Sequence, residues 1–297
     1  MERIEAVLIQ LLAAIREGKP VVSKISSQGA AGALTVAELC NQFLESKYKA
    51  GRSDNYVGLL IKELRSFAKE RIARPVASIS AAEIETWLHG QGWSAPTKRG
   101  RLITLKNLFA WAIKRDLLAV NPALGVDLPR VIGSAPGIHT PETVAHVLET
   151  ARRVDLNVMR CMAVRYFAGL RTSEAVALEE KEIGEKFIEV TAAKAKTRRR
   201  RLVTVHPALT AWLAMGGVLP LKQVNNRLRA VTQAAAVEWP KNATRHSFVT
   251  YHLAEFQNAG KTALEAGHTE QILFGHYREI VTPDIAKQFW AIRPRQG

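Results

Sequence analysis

The second half of the chain carries side chains that together could bind and cleave a phosphate ester. In chain order they are Arg171, Lys196, Arg245, His268 and Tyr277. Guanidinium groups bind phosphate oxygens in pairs of hydrogen bonds, imidazole and amine groups transfer protons, and a phenol oxygen is a nucleophile. Taken singly, a histidine is more often structural than catalytic, and a tyrosine more often packs in a core. The order and spacing of the set therefore carry the functional argument.

Arg171 lies in the segment Gly169–Glu174, which reads Gly-Leu-Arg-Thr-Ser-Glu. The glycine permits a sharp turn, and the hydroxyl residues after the arginine can cap a following helix. An arginine just before a helix N-terminus is well placed to bind a phosphate, because the guanidinium and the helix dipole act on the same anion. The alternative is a structural arginine that pairs with Glu174.

The interval from 194 to 201 contains six basic side chains in eight residues, at the turn between two predicted strands. They are Lys194, Lys196, Arg198, Arg199, Arg200 and Arg201. Such dense like charge is costly without an anionic partner, so we expect these residues to contact a DNA backbone. A solvated loop is the alternative.

The overall charge supports an anionic partner. Lysine and arginine number 42 against 27 acidic residues, which gives a net charge of +15 and a pI near 10.1. A field of this size attracts polyanions, with nucleic acid first and a membrane surface second. A protein that is merely basic remains the plain alternative.

Other features point to a soluble protein. No apolar run is long enough for a transmembrane helix, and the acids near the N-terminus argue against a signal peptide. Cys40 and Cys161, the only cysteines, fit a reducing compartment and cannot build a zinc site by themselves. We therefore expect a bacterial cytoplasmic protein, nucleoid-associated when bound to DNA, with no membrane partner.

The elements that must position these residues fall into two predicted domains. Residues 1–33 read as an amphipathic helix followed by a flexible linker, and residues 34–122 as a small helical domain. Within the latter, Thr35–Glu38 and Ser80–Glu83 are predicted capping boxes. The Pro- and Gly-containing interval 123–138 reads as an interdomain linker.

Residues 139–297 form the second predicted domain, which is mainly helical. Thr140 followed by Pro141 predicts a helix start, and so does Thr282 before Pro283. Lys186–Val190 and Leu202–Val205 are the predicted strands. The last helix could dock on its own domain or on a neighbouring protomer.

The helical first domain adds further candidates for DNA contact. These are Lys98, Arg99, Arg101 and Lys106. A charged, solvated helix face is the alternative for any one of them.

The motif set resembles the tyrosine recombinase (phage integrase) family. Gly169–Glu174 matches the family's first arginine motif, and Lys196 fits the register of its hairpin lysine. Asn242-x-x-Arg245-His246 corresponds to its His-x-x-Arg-His motif, Gly267-His268 to its Gly-His, and Tyr277 follows His268 by nine positions as the family's tyrosine does. The resemblance covers residues 34–297.

The resemblance implies a mainly α (α+β) fold, with an N-terminal helical core-binding domain and a mixed α/β catalytic domain that holds a small β-hairpin sheet. It implies a site-specific recombinase that cleaves and rejoins DNA through a 3′-phosphotyrosine, with no metal, cofactor or ATP. Tyr277 would be the nucleophile, Arg171, Arg245, His268 and Asn242 would stabilise charge, and Lys196 would be the general acid. The partners would be double-stranded DNA, three further copies in a tetramer on paired sites and an accessory DNA-bending protein. A monomer in solution is compatible with this.

Asn242 departs from the family pattern, because the family usually has histidine there. An amide can donate a hydrogen bond to a phosphate oxygen, but it cannot carry a proton at neutral pH. Protons would then have to move through His268 or Lys196. The departure keeps a catalytically impaired DNA-binding protein open as an alternative.

Further alternatives concern the nucleophile and the reaction. Tyr251 also follows Arg245 and competes with Tyr277, which is preferred for its spacing from His268. A topoisomerase IB-like nicking and resealing enzyme would share the chemistry. A basic RNA-binding protein would have no use for the ordered series.

Overall fold

The computed structural model describes residues 33–131, 136–195, 198–271, 273 and 281–295. The chain divides into two compact units, one ending at Gly133 and the other beginning at Ser134. The predicted N-terminal helix and most of the linker that follows it, residues 1–32, lie outside the described residues. Among the described residues, no helix is both long and apolar enough to cross a membrane.

The first unit is helical. Its helices are α1 (Val36–Lys49), α2 (Asp54–Ala68), α3 (Ala81–His89) and α4 (Ala95–Ile113). Their apolar faces meet in one core, in which Phe43, Leu64, Phe67 and Phe109 are fully buried.

The two predicted capping boxes of this unit differ in outcome. At α1 the box is complete, because Glu38 N donates to Thr35 Oγ1 and Thr35 N donates to Glu38 Oε2. At α3, Ser80 Oγ accepts from Glu83 N. The Glu83 carboxylate instead binds Arg71 and Arg74, each at 2.6 Å. Glu83 therefore forms ion pairs with these arginines in place of the hydrogen bond to the Ser80 backbone that would complete the capping box.

The core of the first unit continues beyond residue 122, where the sequence analysis begins its linker. Pro122–Gly125 forms a 3₁₀ turn, and Ala123 and Val126 are buried against the unit's core. Asn121 fixes this turn, since its side chain accepts from Ala123 N and donates to Lys106 O. The start of the predicted linker is therefore part of the packed unit.

The second unit is mixed, with helices around one hairpin. Its helices are α5 (Pro141–Val154), α6 (Leu156–Phe167), α7 (Thr172–Val176), α8 (Pro207–Leu213), α9 (Val224–Ala235), α10 (Ala243–Phe256), α11 (Ala259–Ala266) and α12 (Pro283–Trp290). Helices α5 and α12 begin where predicted, with Thr140 and Thr282 as their caps.

Strands β1 (Phe187–Val190) and β2 (Arg201–Thr204) pair antiparallel, with Ile188 opposite Val203. Both strands lie within one residue of their predicted bounds. Ile188, Val190 and Val203 face the core and are buried. The predicted fold class, mainly α with a small hairpin sheet, is confirmed.

Helix α12 packs on its own unit. Phe289 is fully buried, stacks on Tyr251 at a ring-centroid distance of 4.2 Å and contacts Phe167 at 5.1 Å. Trp290 Nε1 donates to Tyr251 O. Of the two dockings left open by the sequence, the structure shows the one within the same chain.

Candidate active site

Three arginines from different elements converge on the end of helix α11. Each donates to one of three consecutive backbone carbonyls: Arg201 Nε to Glu265 O (2.9 Å), Arg245 Nη2 to Ala266 O, and Arg171 Nη2 to Gly267 O (2.9 Å). The last carbonyls of a helix have no partner within it, so these bonds satisfy them. The result is a cluster of positive charge immediately before His268.

A buried carboxylate holds two of these arginines together. Glu174 accepts from Arg171 Nη1 at 2.9 Å and from Arg201 Nη2 at 2.6 Å, and its side chain has no exposed surface. It also accepts from the backbone N–H of Arg171. Burial alone would raise the pKa of Glu174, but the hydrogen bonds and charges of Arg201 and Arg171 outweigh burial and hold that pKa at about 2.

Arg245 is oriented from a second side by the turn before α7. Its Nη1 donates to Gly169 O at 2.6 Å. Gly169 has a φ of +62°, and a Cβ there would lie 2.2 Å from the Phe248 ring. Both the backbone conformation and the close approach require glycine at this position. The glycine of the first motif therefore helps to position the arginine of the third.

His268 follows directly on the three carbonyls. Gly267, with a φ of +61°, ends α11, and His268 N donates to Ala263 O. Burial, together with the positive charges of Arg245 and Arg171, lowers the pKa of the imidazole to about 3. His268 is therefore neutral at physiological pH.

Asn242 caps α10 from an exposed position. Its φ is +59°, in the left-handed region, and its carbonyl accepts from His246 N at 2.9 Å. Asparagine tolerates this conformation better than most residues with a Cβ. The departure from histidine thus falls where the backbone itself favours asparagine.

Tyr251, the competing nucleophile, has a structural environment. Its side chain is 1% exposed and its hydroxyl donates to His139 O at 2.9 Å. Burial raises its pKa to about 12. A buried phenol that is already hydrogen-bonded, and costly to ionise, is a poor nucleophile.

The chain is similar in sequence to known proteins. No family model matches the chain. Tyrosine recombinase XerC of Haemophilus ducreyi is 26% identical over 243 residues, covering 72% of this chain and 79% of that protein. XerC of Xylella fastidiosa is 25% identical over 261 residues, covering 79% and 88%.

Solved structures show the same fold. A lambda integrase tetramer bound to a Holliday junction matches with a TM-score of 0.67 at 13% identity, over 92% of this chain and 89% of that one. The Tn1549 transposon integrase in complex with a circular intermediate DNA matches with a TM-score of 0.66 at 18% identity, over 86% and 98%.

The chain is therefore similar in sequence to tyrosine recombinases and has the fold of the integrases.

Two of the predicted DNA contacts form ion pairs inside the protein. Lys194 Nζ binds Glu182 at 2.6 Å and Glu179 at 2.9 Å. The Arg201 side chain is 8% exposed and is held by Glu174. These carboxylates come from other parts of the unit, and the hairpin sequence gives no sign of them; contact of Lys194 and Arg201 with DNA stays a prediction.

The remaining described arginines of the hairpin face solvent. Arg198, Arg199 and Arg200 are exposed, and Arg200 pairs with Glu189 at 2.7 Å at the surface. They stay predicted DNA contacts.

The candidates of the first unit are half-buried along α4. Arg101 stacks on Trp93, with its guanidinium carbon 4.0 Å from the ring centroid, and Arg99 Nη1 donates to Pro129 O at 3.3 Å. Lys98 and Lys106 lie on the same helix and are partly exposed. Their proposed role in DNA binding stays a prediction.

Lys196 and Tyr277 lie outside the described residues. Of the six predicted catalytic residues, the structure therefore positions Arg171, Asn242, Arg245 and His268. Arg171, Arg245 and His268 lie together at the end of α11, where Arg201 joins them. Sequence reasoning gave the pairing of Arg171 with Glu174 as an alternative to phosphate binding, and it missed that Glu174 also binds Arg201. The one available signal was the glutamate that closes the first arginine motif.

Proposed function

We propose that this protein cleaves and rejoins double-stranded DNA through a 3′-phosphotyrosine on Tyr277. The observation that carries the proposal is the convergence of Arg171, Arg245 and neutral His268 at the end of α11. The family's motif order supports the assignment of Tyr277 and Lys196, which rests on sequence spacing.

The arginines would stabilise the transition state. Attack on phosphorus puts additional negative charge on the non-bridging oxygens, and preorganised donors stabilise that charge most in a partly buried site. The carbonyls and Glu174 hold the arginine side chains in place before DNA arrives. A guanidinium has five N–H donors, and Arg171 donates two of them to Glu174 and Gly267, so Arg171 keeps donors for a phosphate.

His268 and Lys196 would handle the protons. A neutral imidazole can accept the proton of the tyrosine hydroxyl, whose ordinary pKa is about 10. The neighbouring guanidinium charges favour the resulting phenolate. Lys196 on the hairpin would protonate the leaving 5′ oxygen. Asn242 would donate an amide hydrogen bond to a phosphate oxygen.

This chemistry would need neither metal nor ATP at the scissile phosphate. The guanidinium groups supply the positive charge that a magnesium ion supplies in other phosphoryl-transfer enzymes. The phosphotyrosine retains the energy of the cleaved bond, so a second strand's 5′ hydroxyl can reverse the attack. The tyrosine is released when the new phosphodiester forms.

The assembly we propose is a tetramer on two paired DNA sites, formed from monomers and aided by a DNA-bending protein. The support is the lambda integrase tetramer on a Holliday junction, whose fold this chain shares. The exposed arginines 198–200 and the basic face of α4 would contact the backbone, so binding should weaken steeply with salt.

The test is covalent trapping on DNA. Purified protein is incubated with fragmented bacterial genomic DNA and denatured, and the adducts are sequenced to identify the site, from which a nicked suicide substrate is built. We expect adducts with the wild type and Tyr251→Phe, and none with Tyr277→Phe, which should still bind the DNA.

Three outcomes would overturn the proposal. Adducts that persist in Tyr277→Phe and disappear in Tyr251→Phe would reassign the nucleophile. Sequence-specific binding without any adduct from the wild type would favour a catalytically impaired protein. Plasmid relaxation at any sequence would favour a topoisomerase IB-like enzyme, whereas dependence on paired sites supports the recombinase.

A further inference from the structure

Two histidines and a glutamate meet beneath the proposed active site. His206 lies just before α8, His252 in α10 and Glu265 in α11. One ligand atom from each lies within 4.8 Å of the other two, and His252 Nε2 is 3.5 Å from Glu265 Oε2. Three separate elements therefore direct metal-binding atoms to one point.

These atoms are buried and unsatisfied. His252 is completely buried and Glu265 is 6% exposed. Among the described residues, His206 Nε2, His252 Nε2 and Glu265 Oε2 have no hydrogen-bond partner. Buried polar atoms are nearly always hydrogen-bonded or bound to an ion, so three such atoms facing one another call for an explanation.

The hydrogen bonds around His252 define which ring nitrogen carries the proton. Thr262 Oγ1 donates to Asn258 O at 2.9 Å, so it must accept from His252 Nδ1, which is 2.7 Å away. Nδ1 is then the protonated nitrogen, and Nε2 presents a lone pair to Glu265. The other oxygen of Glu265 accepts from Thr204 Oγ1 at 2.8 Å.

Two acceptors thus face each other at 3.5 Å, and a third lies close by. Their repulsion is removed if a cation lies between them. Ligands of a tetrahedral zinc ion with bonds of about 2.0–2.1 Å are separated by about 3.3 Å, which is near the observed distance. Thr262 and Thr204 act as the outer hydrogen-bond partners that typically orient metal ligands.

We propose that His206 Nε2, His252 Nε2 and Glu265 Oε2 bind one divalent transition-metal ion of the zinc class. Imidazole nitrogens with a single carboxylate are a ligand set suited to zinc, whereas calcium and magnesium prefer oxygen ligands alone. Three protein ligands leave a fourth position for water.

The ion would position the active site without taking part in its chemistry. Glu265 begins the run of three carbonyls that accept from Arg201, Arg245 and Arg171. Binding the Glu265 side chain to α10 and to the start of α8 would fix this turn. The metal site is independent of the proposed DNA cleavage, since either can be present without the other.

The experiment measures metal binding directly. Protein without a histidine tag is treated with a chelator and titrated with zinc by calorimetry, and cobalt(II) is then used to record the visible absorption of the bound ion. We expect one zinc per chain, a cobalt spectrum of tetrahedral intensity and a higher melting temperature with zinc.

His206→Gln and Glu265→Gln should each weaken zinc binding by more than about 10-fold and abolish the zinc-dependent rise in melting temperature. The matched control is His89→Gln, which removes an exposed histidine of the first unit and should bind as the wild type does. His206→Gln keeps the test valid if Glu265→Gln fails to fold, because His206 is only half-buried.

Zinc binding no tighter than a nonspecific level, or binding unchanged in both variants, would overturn the proposal. An NMR spectrum showing His252 as a doubly protonated imidazolium at neutral pH would also overturn it, since the cluster would then be a plain ion pair between His252 and Glu265.

Discussion

The two units bury charge in different ways. In the first, Arg71 is the buried charged residue among those described, and its partner Glu83 remains partly exposed at the edge of an apolar core. In the second, Glu174, Arg245 and Glu265 are buried together at the end of α11, while Arg165 and Glu182 are buried elsewhere in the unit. Burying charge is costly and a buried pair rarely adds much net stability. The concentration of buried charge at one place therefore indicates that the second unit maintains it for its chemistry.

The largest expected effect comes from replacing Glu174, the carboxylate that binds two arginines of this buried cluster. Glu174→Gln leaves the guanidinium groups of Arg171 and Arg201 without their buried counter-charge and should lower the free energy of unfolding by about 3–5 kcal/mol. Glu83→Gln in the first unit should cost about 1 kcal/mol or less, because its carboxylate is 22% exposed. Calorimetric unfolding of both variants measures the difference. Equal losses would show that the two units bury charge alike.

The next prediction concerns catalysis. Arg245→Lys keeps the positive charge but cannot bridge the carbonyls of Gly169 and Ala266 as a planar fork does. We expect the single-turnover rate of cleavage on a suicide substrate to fall about 100–1,000-fold. Arg198→Ala is the matched exposed control and should keep most of the rate. A lysine variant that cleaves at the wild-type rate would mean that geometry at this position is unimportant.

Stability should depend on pH through His268. Its folded pKa of about 3 lies below its ordinary value near 6.5, so between these values the unfolded chain binds more protons. The folded state should therefore lose stability as pH falls below about 6.5, and His268→Gln should remove up to about 1.4 kcal/mol of that loss per pH unit. Urea unfolding from pH 6.5 to 4.5, a window above the titration of Glu174, gives the slope for both proteins. Identical slopes would contradict a buried, neutral His268.

The smallest expected effects distinguish exposed basic residues of the hairpin from those that form ion pairs inside the unit. Arg200→Ala removes an exposed pair with Glu189 and should change stability by no more than about 0.5 kcal/mol, while reducing the salt dependence of DNA binding by about one unit of slope. Lys194→Ala should lower the stability and leave the salt dependence of DNA binding unchanged. It removes the ammonium partner of the Glu182 carboxylate, which is only 7% exposed. DNA affinity against salt concentration, measured for both variants, tests this. An equal salt dependence of DNA affinity in the two variants would indicate that Lys194 contacts DNA.

Much of the fold could be predicted because its signals are local. Thr35, Thr140 and Thr282 each cap a helix through an atom three residues away, and the sequence shows both partners. Helix α6 offers no periodic signal, since it is buried on nearly all sides and has no polar face to give a period. The burial of the turn at residues 122–125 depends on its packing against α3 and α4, which the local sequence does not show.

The site was less predictable than the fold. Motif order grouped Arg171, Arg245 and His268, but no pattern indicates that Arg201 and Lys194 turn inward to carboxylates. The positive φ of Asn242 was equally hidden, although it gives a conformational reason for asparagine at that position. Such features depend on contacts between residues far apart in the chain, which a single sequence does not reveal.

Helix α12 packs on its own unit, with Phe289 buried against Tyr251, and this affects how copies of the protein can assemble. Since the aromatic core is completed by the chain's own helix, folding needs no exchange of segments between copies. The melting temperature should accordingly be independent of protein concentration. In the proposed assembly each copy would reach DNA as a folded monomer, and the free energy of association would be available to hold the paired sites together.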